Sequence, residues 1–138
     1  MGVTLQPGET VTCLWPTLTV RDVSASLSFY AGQLGLRQDF VEVDDAGVAC
    51  MASVEVGGTV LMFERTGTGQ LLDSDHGARS GVSLTILLGP TTDIDALHAR
   101  LEAAGAAICA GIGDRPWGNR DFGVRDPDGY HIIVARPR

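Results

Sequence analysis

Residues 20–35 read VRDVSASLSFYAGQLG, and a similar pattern returns at residues 91–105 as TTDIDALHARLEAAG. In each stretch an aspartate stands where a helix would begin, apolar residues follow at helical spacing, and a glycine ends the run. The two aspartates, Asp22 and Asp93, are 71 residues apart. Each stretch therefore predicts one helix, and the shared pattern indicates an internal repeat.

A second pair of segments repeats at the same interval. Residues 58–63 read GTVLMF and residues 129–134 read GYHIIV, and both predict a strand that starts from a glycine turn. Two independent pairs with one interval of 71 residues indicate a duplicated unit. In each copy the pattern predicts a strand, a helix and three further strands, at 12–20, 23–34, 37–43, 48–56 and 59–64, then at 82–88, 94–104, 107–112, 120–125 and 130–135.

The predicted fold class is α+β, built from two tandem βαβββ modules in a single domain over residues 1–138. The first module covers about residues 12–65 and the second about residues 81–136. The connection, residues 66–80, is rich in Gly, Asp, Ser and Thr and is longer than most connections in compact domains. It is either a plain linker or a mobile flap over a site.

Composition narrows the class of partner. The formal net charge is −7, which argues against nucleic acid and against anionic membrane surfaces. No apolar run approaches the roughly 20 residues of a membrane span, and residues 1–10 lack a secretory signal, so a cytoplasmic protein is expected. The three cysteines, Cys13, Cys50 and Cys109, are far apart and are expected to be small buried apolar residues.

Two segments resemble the glyoxalase/bleomycin-resistance/dioxygenase proteins of the vicinal-oxygen-chelate superfamily. One is LTVRDV at 18–23 with SLSFY at 26–30, and the other is WGNRDF at 117–122 with DPDG at 126–129. The resemblance implies curved mixed sheets that each form a cup, and it implies a homodimer. In the enzymes of this family a divalent metal lies in the cup, held by a His or Gln on the first strand of each unit and a Glu on the last.

Those ligand positions carry over to residues that do not suit a divalent metal. The first His or Gln position falls on Trp15, and the two Glu positions fall on Met62 and Ile133. The second His position falls on Ile86, or on Ser83 or Leu84 if Gly89 and Pro90 are an insertion. Among these only serine is even a marginal ligand for such a metal. No metal and no cofactor are therefore expected, as in the metal-free, bleomycin-resistance-like branch.

The remaining candidates suit the binding of a small molecule. Of the histidines, His76 falls in the linker, His98 is expected on a solvated helix face, and only His131 is expected near the cup. Trp15 is either a stacking residue or a filler of the metal space, and Trp117 is predicted to stack on a planar ligand. Arg120 and Asp121 are expected on opposite faces of one strand. The candidate ligand-binding residues are Trp15, Met62, Glu64, Trp117, Arg120, Asp121, Phe122, His131 and Ile133, and no catalytic residue is assigned.

The expected function is metal-independent binding and sequestration of an antibiotic-like or aromatic small molecule by a homodimer. The alternative is a lyase, isomerase or dioxygenase-type enzyme of the same superfamily with displaced metal ligands such as His131 and Glu64. A third hypothesis is a duplicated scaffold that binds no small ligand and acts in a complex.

Overall fold

A computed structural model describes residues 12–66 and 81–138 of the chain. Its elements confirm the predicted α+β fold of two βαβββ modules. The first module contains β1 (Thr17–Val20), α1 (Val23–Leu27) continued by a π-helical turn (Ser28–Gln33), β2 (Gln38–Val43), β3 (Ala49–Val56) and β4 (Thr59–Arg65). The second contains β5 (Ser83–Leu87), α2 (Ile94–Ala103), β6 (Ala107–Asp114), β7 (Asn119–Arg125) and β8 (His131–Pro137).

Each module forms one four-stranded mixed sheet with the same strand order. The first sheet runs β1-β4-β3-β2 and the second runs β5-β8-β7-β6. In each sheet the first pair of strands is parallel and the other two pairs are antiparallel. The register is also shared, since Thr17 lies beside Met62 in the first sheet and Thr85 beside Ile133 in the second. The strand order and register therefore repeat along with the sequence.

One face of each sheet is buried against a helix, and the other face is the cup face. On the second sheet Phe122, Val124, Ile132 and Val134 are fully buried on the helix side. The alternate residues of β7 and β8 lie on the cup face, because successive strand residues point to opposite sides. A single hydrophobic core includes residues of both modules.

Both helices begin at the aspartates that the sequence indicates. The Asp22 carboxylate accepts a hydrogen bond from the backbone N–H of Ala25 at 3.2 Å, and Asp93 accepts one from Ala96 at 3.0 Å. The predicted helix 23–34 is correct in extent but not in type, because its second half is π-helical and Leu34 N–H donates to the Phe29 carbonyl at 2.9 Å. Apolar spacing alone does not distinguish such a wide turn from an α-helix.

Three hydrogen bonds connect the modules at the turn between β7 and β8. The Tyr30 hydroxyl donates to Asp126 Oδ2 at 2.7 Å, and the Tyr130 hydroxyl donates to the Thr19 carbonyl at 2.9 Å. The third runs from the Arg21 N–H to Asp128 Oδ1 at 2.9 Å. We call this set the inter-module contact. It lies on the helix side of the molecule and leaves the cup faces open.

The Asp126 side chain also shapes its own turn. Its Oδ1 accepts hydrogen bonds from the backbone N–H groups of Asp128 and Tyr130, each at 2.9 Å. Burial raises the pKa of Asp126, although the hydrogen bonds from Tyr30 and the two N–H groups oppose that shift. Burial and the nearby Asp126 raise the pKa of Tyr30 far above its ordinary value, so Tyr30 remains a neutral donor.

Candidate functional site

A cavity of about 240 Å³ opens on the cup face of the second sheet. Strands β7 and β8 form its floor, and the loop between β6 and β7 forms one wall. Its lining residues are Ala110, Arg115, Trp117, Asp121, Phe122, Gly123, His131 and Ile133. The structure thus brings together four of the residues that the sequence analysis selected, Trp117, Asp121, His131 and Ile133, and Phe122 borders them.

A tight turn holds Trp117 at the rim of this cavity. Arg115 N–H donates to the Asn119 carbonyl at 2.7 Å, and Gly118 N–H donates to the Arg115 carbonyl at 3.1 Å. Gly118 has a φ of +98°, a conformation that residues with a side chain rarely adopt. The Trp117 side chain does not pack into the core and is 69% exposed. Its indole is therefore available to a planar molecule entering the cavity.

A buried ion pair lies beneath the tryptophan. Arg115 Nε contacts Asp121 Oδ1 at 2.6 Å, and Arg115 Nη2 donates to the Gly111 carbonyl at 2.8 Å. Asp121 is only 8% exposed, so its charge is balanced within the chain and does not stand as a free acidic wall. The sequence analysis missed Arg115. The hairpin formed by β6 and β7 was the available signal, because it brings Arg115 across from Asp121.

His131 crosses the floor of the cavity above Gly123. Its Nδ1 lies 2.6 Å from Ser83 Oγ on the neighbouring strand. A Cβ added to Gly123 would lie 3.0 Å from His131 Nε2 and 3.2 Å from Cys109 Sγ. The imidazole and the thiol thus share the small space that Gly123 leaves open.

The position of Cys109 corrects the expectation that all three cysteines are buried. Cys13 and Cys109 are exposed, and only Cys50 is buried. The pairing of β6 with β7 is irregular between Ile108 and Ala110, which indicates a β-bulge. A bulge inserts an extra residue and changes the direction of a side chain, so strand alternation could not predict where Cys109 points.

Arg120 and Phe122 are corrections to the candidate set. Arg120 points away from the cup and pairs with Asp95 at 2.5 Å and Asp114 at 3.1 Å. Phe122 borders the cavity, but its ring is fully buried against the His98 ring, with 5.1 Å between their centroids. The His98 side chain is therefore only 15% exposed, contrary to the expected solvated face.

The first-module candidates lie apart from this cavity. Met62 and Glu64 are on the cup face of the first sheet, where their strand neighbours are Thr17 and Thr19. Trp15 precedes β1 and is 59% exposed, so it does not stand on a cup-lining strand as expected. The strand begins only at Thr17. His76 and most of the predicted linker lie outside the described residues.

The residues of the cup do not fit a divalent metal. Beside Met62 and Ile133 the register places Thr17 and Thr85, which are neutral side chains. Ile86 is buried on the helix side, and Ser83 is the polar member of its strand that faces His131. Within residues 12–66 and 81–138, no group of three or more His, Cys, Asp or Glu side chains could hold a metal ion. This donor set supports no chemistry step through a metal.

The largest cavity, about 600 Å³, lies on the opposite side of the molecule. It is an open groove between the π-helical turn and the end of α2, with Asp126 and Pro127 in its wall. Both carboxylate oxygens of Asp126 already accept hydrogen bonds within the chain. The groove adjoins the inter-module contact, and its one notable polar group is already satisfied.

Comparisons with known proteins agree with this architecture. The sequence model of the Glyoxalase/Bleomycin resistance protein/Dioxygenase superfamily matches residues 12–134. The uncharacterized protein Rv0887c of Mycobacterium tuberculosis is 27% identical over 146 residues, which covers 99% of this chain and 78% of that protein. The uncharacterized protein Mb0911c of Mycobacterium bovis is also 27% identical, with 99% and 88% covered.

Solved structures show the same fold. A glyoxalase/dioxygenase from Nostoc punctiforme has a TM-score of 0.75 at 23% identity, covering 100% of this chain and 99% of that chain. TioX from Micromonospora sp. ML1 has a TM-score of 0.70 at 24% identity, covering 92% and 97%. Among the described residues, no helix is long and apolar enough to cross a membrane.

Proposed function

Because the chain belongs to the Glyoxalase/Bleomycin resistance protein/Dioxygenase superfamily, we propose that it binds and sequesters an aromatic or antibiotic-like small molecule without a metal. The observation that carries this proposal is the cup cavity with Trp117 exposed at its rim. Small-molecule sites are typically concave and largely apolar, with a few placed polar groups. The cup cavity has that character, since Ile133 and Ala110 are apolar while His131 and the Arg115–Asp121 pair supply polar atoms.

Stacking on Trp117 is the main source of affinity in this proposal. The indole offers a wide aromatic face, and aromatic stacking is worth about 1–3 kcal/mol when measured by alanine substitution of the stacking residue. The buried Arg115–Asp121 pair is internally neutral, so it orients polar groups of the ligand rather than selecting a strong charge. A planar ring system with a few hydrogen-bonding groups is the ligand class that fits.

A homodimer is part of the proposal. The cavity volume of about 240 Å³ is below the roughly 300–1,000 Å³ of most ligand sites, and only residues of the second module line it. The cup face of the first sheet carries Met62 and Glu64, and its edge strand β2 exposes Phe40 and Val43. A second copy that placed its first sheet over this cavity would enlarge the site and cover those apolar side chains.

The test is a tryptophan fluorescence titration with metal-free bleomycin and with a series of bicyclic aromatic antibiotics. Trp117→Ala is expected to weaken binding of any ligand found by about 5-fold to 150-fold, which corresponds to 1–3 kcal/mol. Trp15→Ala is the matched control, because Trp15 is similarly exposed but lies outside the cavity. Equal effects of the two substitutions, or no binding by any of these compounds, would refute the proposal.

Metal content separates this proposal from the enzyme alternative. Elemental analysis of protein purified without chelators is expected to find far less than one iron, manganese, nickel or zinc per chain, before and after incubation with each metal. About one tightly held metal per chain would favour a lyase, isomerase or dioxygenase-type enzyme with displaced ligands.

A further inference from the structure

We propose that Cys109, His131 and Ser83 form a nucleophilic thiol site in the cup cavity, which captures planar aromatic α,β-unsaturated carbonyl compounds as covalent adducts. This proposal rests on the proposed function, because the same cavity must first admit an aromatic ligand. It goes further in naming the ligand's reactive group and the atom of the protein that it meets.

Geometry is the first argument. His131 Nε2 and Cys109 Sγ lie 3.0 Å and 3.2 Å from one point, the position that a Cβ of Gly123 would occupy. Their separation can be no larger than these two distances combined. A nucleophile close to a histidine, with the histidine held by a third group, is the recurring arrangement of nucleophilic side chains. Gly123 is the residue that permits it, since any side chain there would displace the thiol or the imidazole.

Ser83 is the third group. Its Oγ lies 2.6 Å from His131 Nδ1, on the strand that pairs in parallel with β8. In the tautomer that donates Nδ1–H to Ser83 Oγ, the Nε2 lone pair is directed to the side of the ring where Cys109 lies. Ser83 is then a positioning residue that sets both the ring orientation and the tautomer.

Access is the second argument. Cys109 is exposed, and the cavity beside it has Trp117 on its rim. Reactive cysteines are found where the thiol is accessible and has a partner that takes its proton, whereas buried cysteines are inert. Cys50 is such a buried cysteine, and Cys13 is exposed with no histidine described beside it. The chain therefore contains its own reference thiols.

The proposed step is a conjugate addition that consumes no other reagent. His131 Nε2 accepts the thiol proton, and Cys109 Sγ forms a bond to the β-carbon of the enone. The carbon–carbon π bond breaks, its electrons move towards the carbonyl oxygen, and the proton held by His131 goes to the α-carbon. The product is a saturated thioether, so nothing is oxidised or reduced. Trp117 would hold the aromatic ring of the enone while this occurs.

The test uses benzalacetone, an enone conjugated to a phenyl ring, whose absorbance falls as the double bond is consumed. Intact mass and peptide mapping are expected to find one adduct per chain, on Cys109, formed at least about 10-fold faster than any adduct on Cys13. His131→Gln is expected to slow the addition by about 100-fold, as the loss of a positioned base does elsewhere. Ser83→Ala, which keeps His131, is expected to give an intermediate rate and serves if His131→Gln does not fold.

Benzylacetone, the saturated analogue, distinguishes the two proposals. It cannot add a thiol, so its binding, followed by tryptophan fluorescence, reports on the cavity alone. Binding of benzylacetone with equal reaction rates at Cys109 and Cys13 would overturn the thiol site while leaving the binding function intact. An unchanged rate in both His131→Gln and Ser83→Ala would also overturn it. Rapid His131-dependent modification of Cys109 would support it.

Discussion

Replacing Tyr30 with phenylalanine would remove one hydroxyl from the inter-module contact and leave the aromatic packing in place. The Tyr30 ring stacks on Phe63 and meets Phe29 edge-on, with 4.9 Å between ring centroids in both pairs, and phenylalanine can keep both contacts. The hydroxyl donates to Asp126 Oδ2 at 2.7 Å in a buried setting. A hydrogen bond to a charged group contributes about 1.5–3 kcal/mol, and we expect a loss in this range at pH 8, where Asp126 is ionised.

The matched control is Tyr130→Phe. Its hydroxyl donates to the Thr19 carbonyl, a neutral acceptor, at 2.9 Å, so the expected loss is only about 0.5–1.5 kcal/mol. Urea unfolding followed by circular dichroism measures both losses. In an Asp126→Asn background the effect of Tyr30→Phe should fall to about 1 kcal/mol or less, because the acceptor is then neutral. Equal losses for the two tyrosines, or no change in the Asp126→Asn background, would refute the idea that a charged hydrogen bond connects the modules.

Two further predictions concern Asp126 and Arg120. Burial raises the pKa of Asp126, so its contribution to folding is fully present below the ordinary aspartate pKa of about 3.9 and is lost as the pH rises through the raised value. Urea unfolding at several pH values should therefore show the stability of the wild type relative to Asp126→Asn decreasing as the pH rises from acid towards neutral, and a constant or increasing difference would contradict this. Arg120→Ala should leave ligand affinity unchanged in the fluorescence titration, because Arg120 faces Asp95 and Asp114 away from the cup; a loss as large as that of Trp117→Ala would place it in the site.

The sequence was sufficient for the elements and their order. The aspartate caps, the glycine turns and the repeated interval predicted both helices and all eight strands, mostly to within one or two residues. The largest difference is β1, which begins at Thr17 rather than at residue 12. Local patterns determine such elements, because capping and apolar spacing act within a few residues.

The site was predicted only where strand alternation applied without interruption. Alternation grouped Asp121 with His131 and Ile133, but it should also have removed Arg120 and Phe122 from the candidate set. Cys109 and Arg115 were missed for different reasons. The direction of Cys109 depends on a bulge, and the pairing of Arg115 with Asp121 depends on the exact hairpin register, and neither leaves a clear mark in a single sequence.

The inter-module contact was beyond sequence reasoning, because Tyr30 and Asp126 are far apart in the chain and meet only when the modules dock. It also records how the two copies have diverged since the duplication. At the repeat interval of 71 residues, Leu101 stands where the first copy has Tyr30, and Glu55 stands where the second copy has Asp126. The donor thus belongs to one copy and the acceptor to the other. A chain made of two identical first modules would keep the donor and lose its acceptor, so the present halves are complementary parts that are no longer interchangeable.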